Sequence, residues 1–96
     1  MKDTNQIKEF IENHNVKNKL SNSFKYLLEN NSLEDLDIEN KNISIDENII
    51  RHKILETGFH SFQTPIFKDG NEIGYCSLDY DDNAEIIDDF FIIKTK

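Results

Sequence analysis

The chain has 96 residues, 19 acidic and 11 basic side chains and a formal net charge of −8. A chain of this length is expected to form a single domain, 1–96, with one modest core. Because phosphate groups repel a negative surface, the charge argues against direct binding to nucleic acid or to an anionic membrane, and it favours a basic protein partner.

Cysteine content and hydropathy narrow the cellular compartments in which the protein is expected. The one cysteine, Cys76, lies in an apolar run and is predicted to be a buried packing residue, without a disulfide. The first residues lack the apolar core of a signal peptide. No apolar run reaches the roughly 18 residues that are needed to span a bilayer. We therefore expect a cytoplasmic protein.

Two amphipathic helices are predicted at the start of the chain. Apolar residues at positions i, i+3, i+4 and i+7 lie on one helix face. The first such stripe consists of Ile7, Phe10, Ile11 and His14, with Thr4 as the predicted N-cap. The second stripe consists of Val16, Leu20, Phe24, Leu27 and Leu28, and Asn30-Asn31 ends it.

The middle of the chain is predicted to be partly irregular and then helical. A short turn is expected from Ser32, and the polar segment 37–46 fits a short strand or an extended loop. Asp46 is the predicted cap of a third helix, and Gly58 stands at the position of a C-terminal cap glycine. The apolar face of this helix would consist of Ile49, Ile50, Ile54 and Leu55.

From residue 59 onward the apolar period changes to two, which is typical of strands. Pro65 cannot donate a ladder hydrogen bond, so it predicts an edge strand or an interruption there. Asp69-Gly70 predicts a hairpin, because both residues tolerate positive φ. Further strands are expected over 72–80 and 85–93, joined by a tight turn at 81–84.

These elements predict an α+β fold. Residues 1–58 would be mainly helical, with two or three N-terminal helices packed on a three-stranded antiparallel β-meander formed by 59–96.

The predicted last hairpin carries a cluster of acidic side chains beside aromatic residues. No lysine or arginine lies between Lys68 and Lys94. Carboxylates beside aromatic rings bind Lys and Arg of a partner and supply apolar contact area. The predicted partner-binding residues are Tyr75, Asp79, Tyr80, Asp81, Asp82, Glu85, Asp88 and Asp89.

Two features of the hairpin have a simpler structural interpretation. Asp81, Asp82 and Glu85 suit a solvated turn, and Phe90 and Phe91 suit a hydrophobic core. The final strand nevertheless has apolar residues on both faces, which favours contact with a partner or a second copy of the chain. A homodimer is therefore a further possibility.

Metal binding and catalysis are disfavoured by the motifs. Asp79, Asp81 and Asn83 have the spacing of the first EF-hand ligands, but Ala84 stands where glycine is needed and Phe90 where the bidentate glutamate belongs. The chain contains neither a phosphate-binding glycine loop nor a metal-binding histidine motif. We expect no enzyme activity, no catalytic residues, no metal and no cofactor.

The segment 74–91 resembles a C-terminal hairpin found in various small bacterial proteins, with the form G-Y-x-x-L, an acidic turn and E-x-[IV]-D-D-[FY]. Ala84 departs from it, since the turn more often carries glycine. In size and acidity the chain is similar to bacterial immunity proteins, including those paired with contact-dependent growth inhibition toxins. The resemblance implies a role, in which a cognate toxin, often a basic nuclease, is bound and neutralised. It identifies no binding residue.

Three functional hypotheses follow. The first is an immunity protein that covers the active or substrate-binding surface of a basic toxin. The second is a phage-type inhibitor or nucleic-acid mimic, such as an anti-CRISPR, which applies the same electrostatics to a nucleic-acid channel. The third is a small ligand-binding α+β domain, which requires a concave apolar pocket with convergent polar groups.

Overall fold

The computed structural model describes residues 4–36 and 38–94, where helices precede an antiparallel five-stranded sheet. The helices are α1 (Thr4–Asn13), α2 (Val16–Asn30) and α3 (Leu33–Leu36). The strands are β1 (Ser44–Ile45), β2 (Arg51–Ile54), β3 (His60–Lys68), β4 (Asn71–Tyr80) and β5 (Ile86–Ile93). The predicted α+β class and N-terminal helices are confirmed, but the predicted number of three strands is wrong.

The two long helices follow the predicted apolar stripes. They separate at Asn15, which adopts a left-handed conformation with φ 53° that asparagine tolerates better than most residues. Val16, Leu20 and Phe24 are the buried residues of α2. At its end, the Asn31 side-chain amide donates to the carbonyl of Leu27 at 2.9 Å. The side chain of Thr4, and with it the predicted N-cap, lies outside the described part of the chain.

The predicted third helix between Asp46 and Gly58 is wrong. The Asp46 carbonyl accepts the N–H of Ile49 at 2.9 Å in a turn, and strand β2 follows. Ile54 is 56% exposed and Ile49 is 39% exposed, so these residues form no buried helical face. Gly58 has the predicted positive φ, 87°, but in a hairpin loop between β2 and β3.

Strand β3 passes through Pro65 without a break, and the prediction of an edge strand there is wrong. β4 lies along one side of β3, while β1 and β2 lie along the other. β1 pairs with residues 66 and 67 and β2 with residues 60–63, so Pro65 faces the gap between them. A proline in an interior strand is tolerated because no neighbouring carbonyl needs its missing N–H.

Strands β3, β4 and β5 form the predicted meander. Asp69 and Gly70 have φ values of 51° and 81°, as a two-residue hairpin turn requires. Gly74 lies opposite Ile93, and a Cβ at Gly74 would collide with the Ile92 carbonyl oxygen. The absence of a side chain therefore lets β5 approach β4 closely.

The core lies between the helices and one face of the sheet. Phe10 of α1 stacks on Phe62 of β3, with ring centroids 5.2 Å apart, and meets Tyr80 of β4 edge-on at 5.1 Å. Phe24 of α2 stacks on Phe91 of β5 at 6.0 Å. Burying one such ring contributes about 1.5–3 kcal/mol. No helix within residues 4–36 or 38–94 is long and apolar enough to cross a membrane.

Two hairpin loops share a pair of backbone hydrogen bonds but have different residues at the position of positive φ. In the β2–β3 loop, Leu55 donates its N–H to Phe59 and accepts that of Gly58, both at 2.8 Å. In the β4–β5 loop, Asp81 donates to Glu85 at 2.9 Å and accepts from Ala84 at 3.1 Å. Ala84 has φ 61°, in the left-handed region that favours glycine.

Replacing Ala84 with glycine is expected to raise the free energy of unfolding by about 0.5–1 kcal/mol. Relief of about 1–2 kcal/mol of left-handed strain is partly offset by the greater freedom of unfolded glycine. Urea denaturation measures the change. Gly58→Ala is the reciprocal control, since only φ opposes a Cβ there, and it should lower the free energy by a similar amount. Equal stability of Ala84→Gly and the unchanged chain would contradict the strain.

Candidate interaction surface

The β4–β5 hairpin separates its acidic residues into three groups. Asp81, Asp82 and Glu85 occupy the loop, since β4 ends at Tyr80 and β5 begins at Ile86. Asp79 and Asp88 lie directly opposite each other on the two strands, on the sheet face away from the helices. Asp89 lies on the helix-covered face. The cluster seen in the sequence is therefore contiguous along the hairpin, but it is not one flat patch.

The loop acids combine a structural role with exposure. One carboxylate oxygen of Asp81, Oδ1, accepts the backbone N–H groups of Asn83 at 2.9 Å and Glu85 at 3.0 Å. Such bonds are how aspartate stabilises tight turns. Asp82 and Glu85 are exposed to solvent. The loop therefore presents two carboxylates freely and a third that also holds its backbone.

Asp79 is the most unusual acid of the hairpin. The residue is 7% exposed, and its Oδ1 atom is buried without a hydrogen-bond partner among the described residues. Asp88 stands opposite it on β5, and like charges in directly opposed positions destabilise a strand pair. A buried acceptor without a partner costs about 1–3 kcal/mol. Among the described residues, the free protein therefore offers no donor to one buried carboxylate oxygen of Asp79.

The remaining predicted site residues have different environments. Tyr80 is fully buried against the helices, and within residues 4–36 and 38–94 its hydroxyl has no hydrogen-bond partner. Tyr75 lies half-buried beneath the Lys94 ammonium, 5.2 Å from the ring centroid. Asp89 accepts the hydroxyl of Ser23 on α2 at 3.3 Å. Tyr75 is thus the accessible aromatic residue of the predicted set, and Tyr80 belongs to the core.

The ion pairs of the described residues lie outside the acidic hairpin loop. Arg51 makes a bidentate pair with Glu72, at 2.8 and 3.0 Å. Lys68 pairs with Glu39 at 3.0 Å. Within residues 4–36 and 38–94, neither pair involves an acid between positions 79 and 89. The chain's own described cations therefore leave the charge of the hairpin unneutralised.

Metal coordination by these acids has no support in the geometry. In the part of the chain that the structure describes, no three His, Cys, Asp or Glu side chains converge to hold a metal ion. The loop at 81–85 is also flanked by strands, whereas an EF-hand loop is flanked by helices.

A histidine pair was not predicted from the sequence. The Nε2 atom of His52 lies 2.8 Å from Nδ1 of His60, so one ring donates a hydrogen bond to the other. The pair lies on the core side of β2 and β3, where His52 contacts the ring of Phe62. The sequence did not predict this pair because residues 46–58 were predicted to form a helix. A helix there would keep the rings of His52 and His60 apart.

An open cleft of about 530 Å³ lies beside α1 and the turn after it. Its lining combines the apolar Ile11 and Ile50 with the charged Lys8, Glu12 and Lys17. None of the hairpin acids lines it. The cleft and the acidic hairpin are therefore separate surfaces.

Cys76 is buried as predicted, with 2% exposure. Burial raises the pKa of its thiol to about 12, which leaves little thiolate at neutral pH. It is a packing residue of β4.

Comparisons with protein-family models, with curated proteins and with solved structures found no match for this chain.

Replacing Asp79 with asparagine is expected to raise the free energy of unfolding by about 1 kcal/mol. The change removes the like charge opposite Asp88 and lowers the cost of burying the side chain. Thermal or urea denaturation measures it. Asp82→Asn is the control, because Asp82 is exposed and its replacement should change stability by less than about 0.5 kcal/mol. If Asp79→Asn lowers stability, the carboxylate is compensated in the folded chain.

The histidine pair predicts a pH-dependent stability. Burial and the nearby His60 hold the pKa of His52 below its usual 6.5. The unfolded chain therefore binds a proton where the folded chain does not, and acidification through that range favours unfolding. Urea denaturation at about pH 7.5 and about pH 5.5 should show a smaller loss of stability in His52→Gln than in the unchanged chain. Equal losses would show that His52 titrates alike in both states.

Proposed function

We propose that the protein is an immunity protein, which binds a cognate basic toxin and blocks its active or substrate-binding surface. The toxin is of the nuclease class, and neutralisation takes place in the cytoplasm of the producing cell. The protein itself catalyses no reaction. Its binding surface is the acidic end of the β4–β5 hairpin, with Asp82, Glu85 and Asp88 exposed there.

One observation carries this proposal. The hairpin acids have no lysine or arginine partner among the described residues, and Asp79 holds a buried oxygen without a hydrogen-bond donor. A surface that needed acids only for solubility would not bury one opposite another. Cationic groups of a partner would supply the missing countercharge, and charge-assisted hydrogen bonds to carboxylates are among the strongest in proteins.

The proposed mechanism is occlusion with electrostatic steering. A nuclease binds phosphate through lysine and arginine side chains, and the hairpin carboxylates would pair with those same groups. Negative potential on one partner and positive potential on the other accelerates encounter. Tyr75 is half-buried, four residues from Asp79 along β4 on the same sheet face, and would supply apolar contact area.

The nucleic-acid mimic rests on the same acidic surface, so it remains the alternative. The target distinguishes the two, since an immunity protein is encoded beside its toxin. A small ligand-binding domain receives less support, because the cleft near α1 is open and combines lysines with a glutamate beside two isoleucines.

The decisive experiment measures binding to the C-terminal domain of the protein encoded by the adjacent upstream gene. Asp81, Asp82, Glu85 and Asp88 are replaced with asparagine or glutamine. We expect the affinity to fall by at least about 100-fold, and the salt dependence of the dissociation constant to flatten, because about four charge pairs are lost.

A matched variant separates local contacts from total charge. Replacing the exposed helical residues Glu9, Glu12, Glu29 and Glu34 with glutamine removes the same number of charges. It should slow association without accelerating dissociation. Unchanged affinity and salt dependence in the hairpin variant would remove the electrostatic basis of the proposal.

A further inference from the structure

The outer edge of β5 is open along its length. β5 pairs with β4 on one side, and no strand among the described residues pairs with its other side. Ile86, Ile87 and Phe90 are large apolar residues on this strand that are 45%, 48% and 39% exposed. Exposed edges with apolar side chains are templates for pairing with another strand.

The ladder with β4 determines which backbone groups face outward. Lys94 donates its N–H to the carbonyl of Ile73 at 2.7 Å, so residue 94 points toward β4. Because orientation alternates along an antiparallel pair, Asp89, Phe91 and Ile93 turn their N–H and C=O groups away from β4. These three residues are the ones that another strand would bond.

The sequence of β5 is complementary to itself in one antiparallel register. If Phe91 faces Phe91 of a second copy, the outward-facing residues of the two strands pair with one another, Asp89 with Ile93. On the face away from the helices, Asp88 then stands opposite Lys94, and Phe90 opposite Ile92. Twofold symmetry repeats each of these contacts once, so two opposite-charge pairs in all flank an apolar centre.

Shifting one strand by two or four residues toward the β4–β5 loop loses this match. With Phe90 facing its own copy, Asp88 faces Ile92 and the charge pairs disappear. With Asp89 facing its own copy, two carboxylates meet at the centre of the interface. The first register is thus the favourable one among these three.

We propose that two copies of the chain associate through antiparallel pairing of their β5 edges, with Asp88 of each opposite Lys94 of the other. The result is one continuous sheet with twofold symmetry. Its two acidic loops, at 81–85, lie near opposite ends of the seam and stay open. This inference does not rest on the proposed toxin binding, but it uses Asp88, which that surface includes, and it leaves the loop acids Asp82 and Glu85 to a toxin.

Pairing of the two β5 edges replaces a hydrogen bond that exists within the single chain. Asp88 Oδ1 accepts the N–H of Asp89 at 3.0 Å, which covers one outward donor of the edge. On pairing, the Ile93 carbonyl of the second copy accepts that N–H, and the Asp88 carboxylate is released to Lys94. Lys94 lies over Tyr75 on the same sheet face, so it is already on the required side.

Charge reversal tests the proposal by sedimentation velocity from about 1 μM to about 1 mM. We expect association of the unchanged chain in this range, and about tenfold or greater weakening in Asp88→Lys, where two lysines oppose each other twice. Net charge alone predicts that Asp88→Lys associates more tightly, since this variant reduces the repulsion between two chains of charge −8. The double variant Asp88→Lys with Lys94→Asp should restore association to within about threefold.

Glu9→Lys is the matched control, with the same charge change at an exposed residue of α1. It should not weaken association. Circular dichroism must show that each variant is folded. A chain that stays monomeric throughout the range, or an Asp88→Lys variant that associates as tightly as the unchanged chain, would overturn the proposal.

Cross-linking tests the register independently. Residues 88 and 94 would form a pair without backbone hydrogen bonds, with Cα atoms about 4.5 Å apart, a distance that a disulfide spans. Asp88→Cys mixed with Lys94→Cys should give a disulfide-linked dimer with oxidised glutathione, faster than either variant alone. Cys76 does not compete because it is buried. Equal rates for the mixture and the single variants would refute this register.

Discussion

The packing of the helices on the inner face of β3 and β4 is the interaction on which the rest of the structure depends. The rings of Phe62 on β3 and Tyr80 on β4 are fully buried, and their centroids are 5.6 Å apart in an edge-on contact. Phe10 of α1 packs against both rings. This contact fixes which face of the sheet is covered. It also fixes the direction of every side chain on the neighbouring strand β5, because side chains alternate along strands. The acidic hairpin is positioned by this hydrophobic contact.

Sequence periodicity predicted the elements that this core requires, but it failed where burial is weak. The stripes of α1 and α2 and the turn at Asp69-Gly70 carry strong local signals. Residues 46–58 carry ambiguous ones, since Ile54 is exposed in β2 and alternation is therefore weak there. Gly58 suits a helix cap and a three-residue hairpin loop equally, because both require positive φ. Only the partner strand β3 distinguishes them.

The acidic cluster was visible in the sequence, but its division between faces was not. Asp79 and Tyr80 are adjacent, so a strand turns them to opposite faces, and the core takes Tyr80. A register shift between these two residues then changes the pairing with β5. Such an irregularity depends on both strands and leaves no local signature. The histidine pair was hidden for the same reason, since His52 and His60 meet only across a hairpin.

Two unfavourable local features coincide in the β4–β5 hairpin. Asp79 opposes Asp88 with a buried oxygen that has no partner in the described part of the chain, and Ala84 adopts a conformation suited to glycine. Each lowers stability, and neither is needed to close a hairpin, as the glycine loop at 55–59 shows. Departures from local preference concentrate at functional sites in folded proteins. Solubility would be served equally well by exposed acids such as Glu9, so solvation alone does not explain why an acid is buried at position 79.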